Sequence, residues 1–175
     1  ARMCILSKGG GQERAKTPAD LASGGAGIGK VTAIVLAPPG GGSALAYQVT
    51  SGSISKVIVI ENADFAHFGV AASAQAIAQV VTEHKPSALL ITSSAFGKEI
   101  AGCVAVLTDS GLITDAIDIS SNLVATQVIF GGSATVHSRV THGSAIITLR
   151  PNSFSPDVAV GSPEILTANI AISDS

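Results

Sequence analysis

The stretch KVIVIENADFAHFGVAASAQAIAQVVTEHKPSALLITSSAFGKEIAGCVAVLTDSG, residues 56–111, decides the fold of this chain. It opens with β-branched residues over Lys56–Ile60, which favour a buried strand. A helix is predicted over Gly69–Lys85, a further strand over Ala88–Ile91 and a second helix over Lys98–Ser110. Because parallel strands need a crossover connection, this alternation predicts an open parallel sheet flanked by helices.

The first of these helices has the clearest periodicity in the sequence. Gln75, Gln79 and Glu83 lie off its apolar face, and Pro86 ends it. The second helix is predicted to end at Gly111, in the left-handed conformation that often follows a helix. The apolar face of the first helix consists of Val70, Ala74, Ile77, Ala78 and Val81.

Toward the amino terminus, buried strands are predicted at Met3–Ser7 and Val31–Ala37, and a short helix at Ser43–Thr50. After Gly111 the pattern changes to strand-like segments with connections too short for helices, which predicts hairpins or antiparallel additions. These segments are 112–119, 125–130, 134–140 and 145–149.

The domain organisation follows from composition. Residues 151–163 are rich in Pro, Ser and Gly, as linkers are, and Ile165–Ile172 is either a last strand or a tail. We therefore expect one α/β domain over residues 1–155, and a linker or tail over 156–175.

Composition excludes several classes of protein. Of the 175 residues, 46% are hydrophobic, but no apolar run reaches the ~20 residues of a membrane-spanning helix. The net charge of -2 and the scattered basic residues argue against nucleic acid and anionic membranes as partners. Cys4 and Cys103 are far apart in apolar sequence, which predicts buried, reduced thiols.

The motif search identifies no catalytic, cofactor-binding or metal-binding residue. GGAGIGK at Gly24–Lys30 has the glycine spacing of a phosphate-binding loop, but Val31 follows where Ser or Thr is needed, and a strand follows where a helix is needed. The glycines at 25, 27 and 29 are spaced by two and also precede a strand, so they do not match the dinucleotide-binding pattern. The four histidines, 67, 84, 137 and 142, lack metal-ligand spacing.

Five polar side chains are candidates for a catalytic role. Ser93, Ser94 and Ser110 lie in no nucleophile motif and are interpreted as solvated turn hydroxyls. Asp115 and Asp118 are three residues apart in a predicted strand, which places them on opposite faces and prevents them from sharing a proton.

Four segments carry a family resemblance. SAFGKEIAG (Ser94–Gly102), GLITDAIDI (Gly111–Ile119), VIFGGSATV (Val128–Val136) and ITLRPNSF (Ile147–Phe154) resemble, in order and spacing, the amino-terminal domain of the electron transfer flavoprotein alpha subunit. The resemblance covers roughly residues 3–155 and is weakest over the first fifty.

The resemblance implies a Rossmann-like scaffold of the adenine nucleotide alpha hydrolase-like type, not a catalyst by itself. In the complete family protein, FAD is held mainly by a following domain with an SGGRG-type motif. That motif does not occur here, so we do not expect this chain alone to bind FAD. Lys98 is interpreted as a solvated lysine, Gly131 and Gly132 as turn residues, and Arg150 as a domain-interface residue.

The partners implied are a beta subunit, acyl-CoA-type dehydrogenases and a quinone oxidoreductase, as in fatty acid β-oxidation. A mitochondrial matrix or a bacterial cytoplasm fits this role. Two other hypotheses stay open: a stand-alone AMP- or ATP-binding module of the same superfamily, and a non-catalytic accessory subunit.

Overall fold

The computed structural model describes residues 2–7, 30–49, 54–67, 69–154 and 161–172, the first of these ranges as backbone alone. The strands are β1 (Arg2–Ser7), β2 (Val31–Ala37), β3 (Ile54–Glu61), β4 (Ala88–Thr92), β5 (Leu112–Ile119), β6 (Ala125–Ile129), β7 (Ala134–Ser138), β8 (Ala145–Leu149) and β9 (Glu164–Ala168). The α-helices are α1 (Gly42–Ala46), α2 (Val70–His84) and α3 (Ala95–Leu107), and 3₁₀ turns lie at Ala63–His67 and Phe130–Gly132.

These nine strands form one sheet in the order β7-β6-β5-β8-β4-β1-β2-β3-β9. The seven strands from β5 to β9 in that order pair in parallel, whereas β6 and β7 are antiparallel to their neighbours. The predicted α/β class, Rossmann-like with a mostly parallel sheet, is confirmed. The strand order reverses between β1 and β4, and open α/β sheets bind ligands beyond the carboxyl ends of strands at such a point.

The prediction that the strands after Gly111 pair as hairpins or antiparallel additions is confirmed for the β5–β6 and β6–β7 pairs and is wrong for β8. β8 inserts between β4 and β5 and is parallel to both. The β6–β7 hairpin leads the chain away from β5 and back, so it serves as the crossover that a parallel pair requires. β6 and β7 join the sheet by antiparallel pairing.

Two apolar clusters cover the two faces of the sheet. On one face, Ile34, Ile58 and Ile146 pack under α2 and α3, which contribute Ile77 and Ile100. On the other face, Val35, Val57 and Ile147 lie in a cluster that includes Ala46 of α1. β2, β4 and β8 are buried on both faces, and their sequences are largely apolar. Burial was predicted for β2 and β4 and was not predicted for β8.

The ends of α3 differ from the prediction. The helix begins at Ala95 because the Ser94 hydroxyl accepts a hydrogen bond from the Gly97 amide at 3.0 Å and caps its first turn. It ends at Leu107, and Asp109, with φ of 46°, takes the left-handed conformation that was predicted for Gly111. Gly111 is required for another reason: a Cβ there would lie 2.6 Å from a methyl carbon of Val140.

Of the two interpretations of residues 165–172, the structure has the strand. β9 pairs in parallel with β3, and the Lys56 ammonium lies 3.5 Å from the Glu164 carboxylate. The Gln79 amide donates a hydrogen bond to the Ala171 carbonyl at 2.7 Å, which fixes the chain after β9 against α2. Residues 164–168 are therefore part of the sheet.

Candidate functional site

A bulge in β5 brings Asp115 to the carboxyl ends of β4 and β8. Residues Ile113 and Ala116 pair with Ile147 and Leu149, so two residues of β5 face one residue of β8. Asp115 has a φ of 62°, a left-handed conformation that aspartate tolerates better than most residues. Its backbone amide donates to the hydroxyl of the buried Thr148 at 2.9 Å, which satisfies the donor that the bulge releases.

Four polar side chains meet at this bulge, and we call them the carboxyl-end cluster: Ser93, Asp115, Thr148 and Arg150. The Arg150 guanidinium donates to Asp115 Oδ2 from Nη2 at 2.6 Å and from Nε at 3.1 Å. Ser93 donates to Asp115 Oδ1 at 3.0 Å, and Thr148 donates to Ser93 at 3.2 Å. Both carboxylate oxygens therefore have charged or polar partners.

The electrostatics of the cluster hold Asp115 ionised. The Arg150 hydrogen bond lowers the pKa of the Asp115 carboxyl most, and burial acts against it. The Ser93 hydrogen bond and the charges of Arg150 and Lys98 lower the pKa further. In return, Asp115 raises the pKa of Arg150. A carboxylate with a lowered pKa is a weak base, so this one is unsuited to proton abstraction.

The same network holds the β6–β7 hairpin against the parallel sheet. Arg150 Nη2 also donates to the Val128 carbonyl of β6 at 3.4 Å. The Gln127 side-chain amide donates to the Thr114 carbonyl at 2.7 Å and accepts from Ser138 of β7 at 3.1 Å. Side chains of Arg150, directly after β8, and of Gln127 in β6 thus replace the regular ladder that the bulge interrupts.

A second polar feature lies at the carboxyl ends of β2 and β3. The Glu61 carboxylate accepts hydrogen bonds from the amides of Gly40 at 3.1 Å and Gly42 at 2.7 Å. These two bonds, the Gly40 bond first, lower the pKa of Glu61. The glycine-rich loop after β2 thus directs two amides at a carboxylate of the chain itself, and these amides are not available to a phosphate.

Several sequence interpretations are corrected here. Ser93, Ser94 and Ser110 are not solvated turn hydroxyls: Ser93 binds Asp115, Ser94 caps α3, and Ser110 accepts from the Ser144 amide at 3.2 Å. The alternation used to place Asp115 and Asp118 on opposite faces is interrupted, because β5 changes register on both sides of Ala116.

Two other assignments also change. Arg150, interpreted as a domain-interface residue, is engaged inside the domain by Asp115. Cys103 was predicted to be buried, but it is exposed on α3. The side chain of Cys4 and the glycine motif at residues 24–29 lie outside the described residues. Lys98 is exposed, and its charge acts on Asp115.

Sequence reasoning missed the Asp115–Arg150 pair, which joins residues 35 positions apart. The signal available was the arginine directly after a buried apolar strand, a position at the carboxyl edge of a parallel sheet. The turn assignment of Gly131 and Gly132 agrees with their φ values of 63° and 102°. His142 contacts Asp109 at 2.9 Å on the surface and has no role in the cluster.

The contacts of the carboxyl-end cluster are those of a structural hydrogen-bond network and not those of a catalytic site. Ser93 donates a hydrogen bond to the weakly basic Asp115 carboxylate. None of the histidines in the described residues is hydrogen-bonded to Ser93. No group of three metal-ligating side chains occurs in the described part of the chain. Within the same residues, no helix is long and apolar enough to cross a membrane.

Comparison with known proteins places this fold in a family. A family model described as the electron transfer flavoprotein domain matches residues 15–172. This chain belongs to that family. The match includes β9, so the electron transfer flavoprotein domain extends through the last strand of the sheet.

Curated relatives carry the same family name. The electron transfer flavoprotein subunit alpha of Mycobacterium tuberculosis is 27% identical over 155 residues, 89% of this chain and 49% of that protein. That of Syntrophomonas wolfei is 30% identical over 63% of this chain and 36% of its own length. Protein FixB of Rhizobium meliloti is 32% identical over 57% of this chain and 30% of its own length. The chain spans about half the length of the mycobacterial relatives it matches.

The described residues do not fit a bound flavin. A flavin site needs donors for the pyrophosphate and an apolar or aromatic surface for the ring. Here the loop amides of Gly40 and Gly42 bind Glu61, and the guanidinium of Arg150 binds Asp115. Tyr47 and Phe130 are strongly exposed aromatic side chains.

Proposed function

We propose that this chain is the scaffold domain of an electron transfer flavoprotein alpha subunit. In the complete heterodimer, FAD carries electrons from acyl-CoA-type dehydrogenases to a quinone oxidoreductase, in a bacterial cytoplasm or a mitochondrial matrix. This chain contributes subunit association and the platform for the flavin domain, and is not a catalyst by itself. The observation that carries the proposal is the family match over residues 15–172.

The geometry supports a scaffold in preference to a catalyst. Two charged groups at the carboxyl end of the sheet are bound within the chain: Asp115 pairs with Arg150, and Glu61 accepts hydrogen bonds from the loop amides. A catalytic site would leave a nucleophile, a base or an anion-binding group free for substrate. The proposed division into a scaffold over 1–155 and a linker or tail over 156–175 belongs to the same hypothesis; the second segment then includes β9, which pairs with β3.

The proposed partner is a beta-type subunit, and its binding tests the proposal. The chain is co-expressed with the beta-type subunit of its source organism and separated by size-exclusion chromatography. We expect the two to co-elute as one species with equal amounts of each subunit. Separate elution at micromolar concentrations would contradict the proposed role in subunit association.

A nucleotide titration separates this function from the rival binding module. Because Glu61 occupies the loop amides after β2, we expect no heat of binding when AMP or ATP is titrated into the chain. Saturable binding at micromolar AMP, without a beta-type subunit, would favour the stand-alone nucleotide module. Absence of both AMP binding and beta-subunit binding would favour an accessory protein with another partner.

A further inference from the structure

β9 is attached to the sheet along one edge. It is the terminal strand beside β3, and the register of this pair runs from Lys56 with Glu164 to Ile60 with Ala168. The other parallel strands, from β5 to β3 in the sheet order, each have a neighbour on both sides. The ladder hydrogen bonds that hold β9 in the sheet are therefore made to β3.

The side chains of β9 contribute little to the core. Residues 164–167 are exposed, and Ile165 and Leu166 are 40% and 39% exposed. Ala168 and Ile170 are half-buried and pack against the apolar cluster under α2 and α3. Because apolar burial is the main stabilising term, β9 gains less from packing than the buried strands β2, β4 and β8 do.

Two polar contacts fasten the segment that contains β9, and both face water. The Lys56 ammonium and the Glu164 carboxylate are 3.5 Å apart, and 35% and 62% of these side chains are exposed. After the strand, the exposed Gln79 of α2 donates to the Ala171 carbonyl. Exposed ion pairs and solvated hydrogen bonds add little to stability. These contacts position the segment, but they can break without leaving a charge buried.

The strand that β9 covers belongs to the core. Residues 57–60 of β3 are at most 3% exposed. Without β9, β3 would present an apolar strand edge with unpaired amides, which is a template for association with another chain. Pro163, directly before β9, and Glu164 at its start are residue types that disfavour further pairing at an edge. β9 thus protects an edge that is prone to association.

We propose that residues 164–172 form a detachable strap. They leave β3 and α2 as one unit while the strands β1 to β8 stay paired, and their opening uncovers the apolar edge of β3. The strap closes through the β3 ladder and is fastened by Lys56 and Gln79. The proposal involves neither a flavin nor a partner subunit, so its failure would leave the proposed function untouched.

Amide hydrogen exchange, measured by NMR on the chain, tests the unit of opening. We define the strap amides as the β9 amides that bond to β3 and the β3 amides that bond to β9. We expect them to share one opening equilibrium and to exchange at least about a hundredfold faster than the β3 amides that bond to β2. Equal protection on the two sides of β3 would overturn the proposal, because β9 would then open only with the whole sheet. Unprotected β9 amides would overturn it as well, because the strap would be absent in solution.

A disulfide between β3 and β9 tests whether detachment of the strap causes this exchange. Lys56→Cys and Glu164→Cys place two cysteines at register partners on neighbouring strands, a spacing that a disulfide can bridge. Cys103→Ser removes the exposed thiol from the same protein. Oxidation of this triple variant should slow exchange of the strap amides at least about tenfold, and its reduced form should exchange within about threefold of wild type. Unchanged exchange on oxidation would contradict opening as one unit.

Gln79→Ala tests the second fastening without a change in β9. Loss of the bond to Ala171 should raise the opening equilibrium of the strap amides about fivefold and leave the amides of β2, β4 and β8 unchanged. The matched control is Glu83→Ala, at an exposed position one turn further along α2, which should leave both sets unchanged. Equal acceleration of all these strands by Gln79→Ala would show global destabilisation and would overturn the strap.

Discussion

Arg150 Nη2 lies 2.6 Å from Asp115 Oδ2, and this ion pair joins the residue after β8 to the bulge of β5. The same nitrogen reaches the Val128 carbonyl of β6. One side chain therefore connects three neighbouring strands at the point where the sheet changes from parallel to antiparallel. We infer that the pair keeps the β6–β7 hairpin in place.

Replacing Asp115 by Asn should destabilise the fold. The substitution keeps the shape but removes the charge that Arg150 and Ser93 bind. Because more than a third of each side chain of the pair is exposed, we expect a loss of only about 1 kcal/mol in the free energy of unfolding. The control is Asp118→Asn in the exposed part of the same strand, which should change stability by less than about 0.5 kcal/mol. Urea unfolding measures the change in the free energy of unfolding for each variant. Equal changes for Asp115→Asn and Asp118→Asn would contradict a stabilising role of the Asp115–Arg150 pair.

The contribution of Asp115 should depend on pH in a defined direction. Its pKa in the folded protein is below the ordinary value of 3.8, so the folded state favours the ionised form. The stabilisation is complete above pH 3.8 and is lost as pH falls through the folded-state pKa. The stability difference between wild type and Asp115→Asn should therefore be largest near neutral pH and shrink in acid. A stability difference that grows on acidification would show that the pKa of Asp115 is not lowered in the folded protein.

The Glu61 carboxyl should titrate at low pH. The amides of Gly40 and Gly42 stabilise its charged form, which places the pKa below the ordinary value of 4.5. The favourable contribution to stability is thus present above pH 4.5 and disappears as pH falls through the lowered pKa. Carbon-detected NMR of the Glu61 carboxyl, assigned by comparison with Glu61→Gln, measures the midpoint. A midpoint at or above 4.5 would mean that the loop does not bind the carboxylate in solution.

Two glycines of α3 should respond oppositely to alanine. A Cβ at Gly97 would collide with the Thr92 carbonyl oxygen at the junction of β4 and α3, whereas a Cβ at Gly102 meets nothing within 4 Å. Gly97→Ala should cost about 2–3 kcal/mol through displacement of the helix. Gly102→Ala should be neutral or stabilise by up to about 1 kcal/mol, because alanine favours the helix.

Thermal unfolding of the two variants measures this difference. A Gly97→Ala protein as stable as wild type would contradict the close approach of α3 to the end of β4.

The parallel half of the fold was predictable because its signals are local. α2 follows from apolar spacing over Val70–His84, and β2, β3 and β4 follow from continuous apolar runs. The capping role of Ser94 was also readable in principle, since serine directly before a helix is a common cap. A local pattern predicts whether a segment is a helix or a strand, but it does not predict which strands are neighbours in the sheet.

The rest depended on contacts between distant residues. β8 is parallel to β5 because the hairpin between them acts as the crossover, which connection length alone does not reveal. The bulge at Asp115 depends on Thr148 and Arg150, more than thirty positions away. Likewise, Asp109 takes the left-handed position after α3, and Gly111 lies close to Val140, a residue 29 positions away. Sequence patterns do not indicate contacts between residues that are this far apart in the chain.

The visible absorption spectrum of the protein purified from its source tests the central claim most directly. If the chain is the scaffold of an electron transfer flavoprotein, the preparation should show oxidised flavin bands that bleach on reduction, and a beta-type subunit should accompany it in constant proportion. A colourless preparation without that subunit would contradict the account and would favour the nucleotide module or the accessory protein.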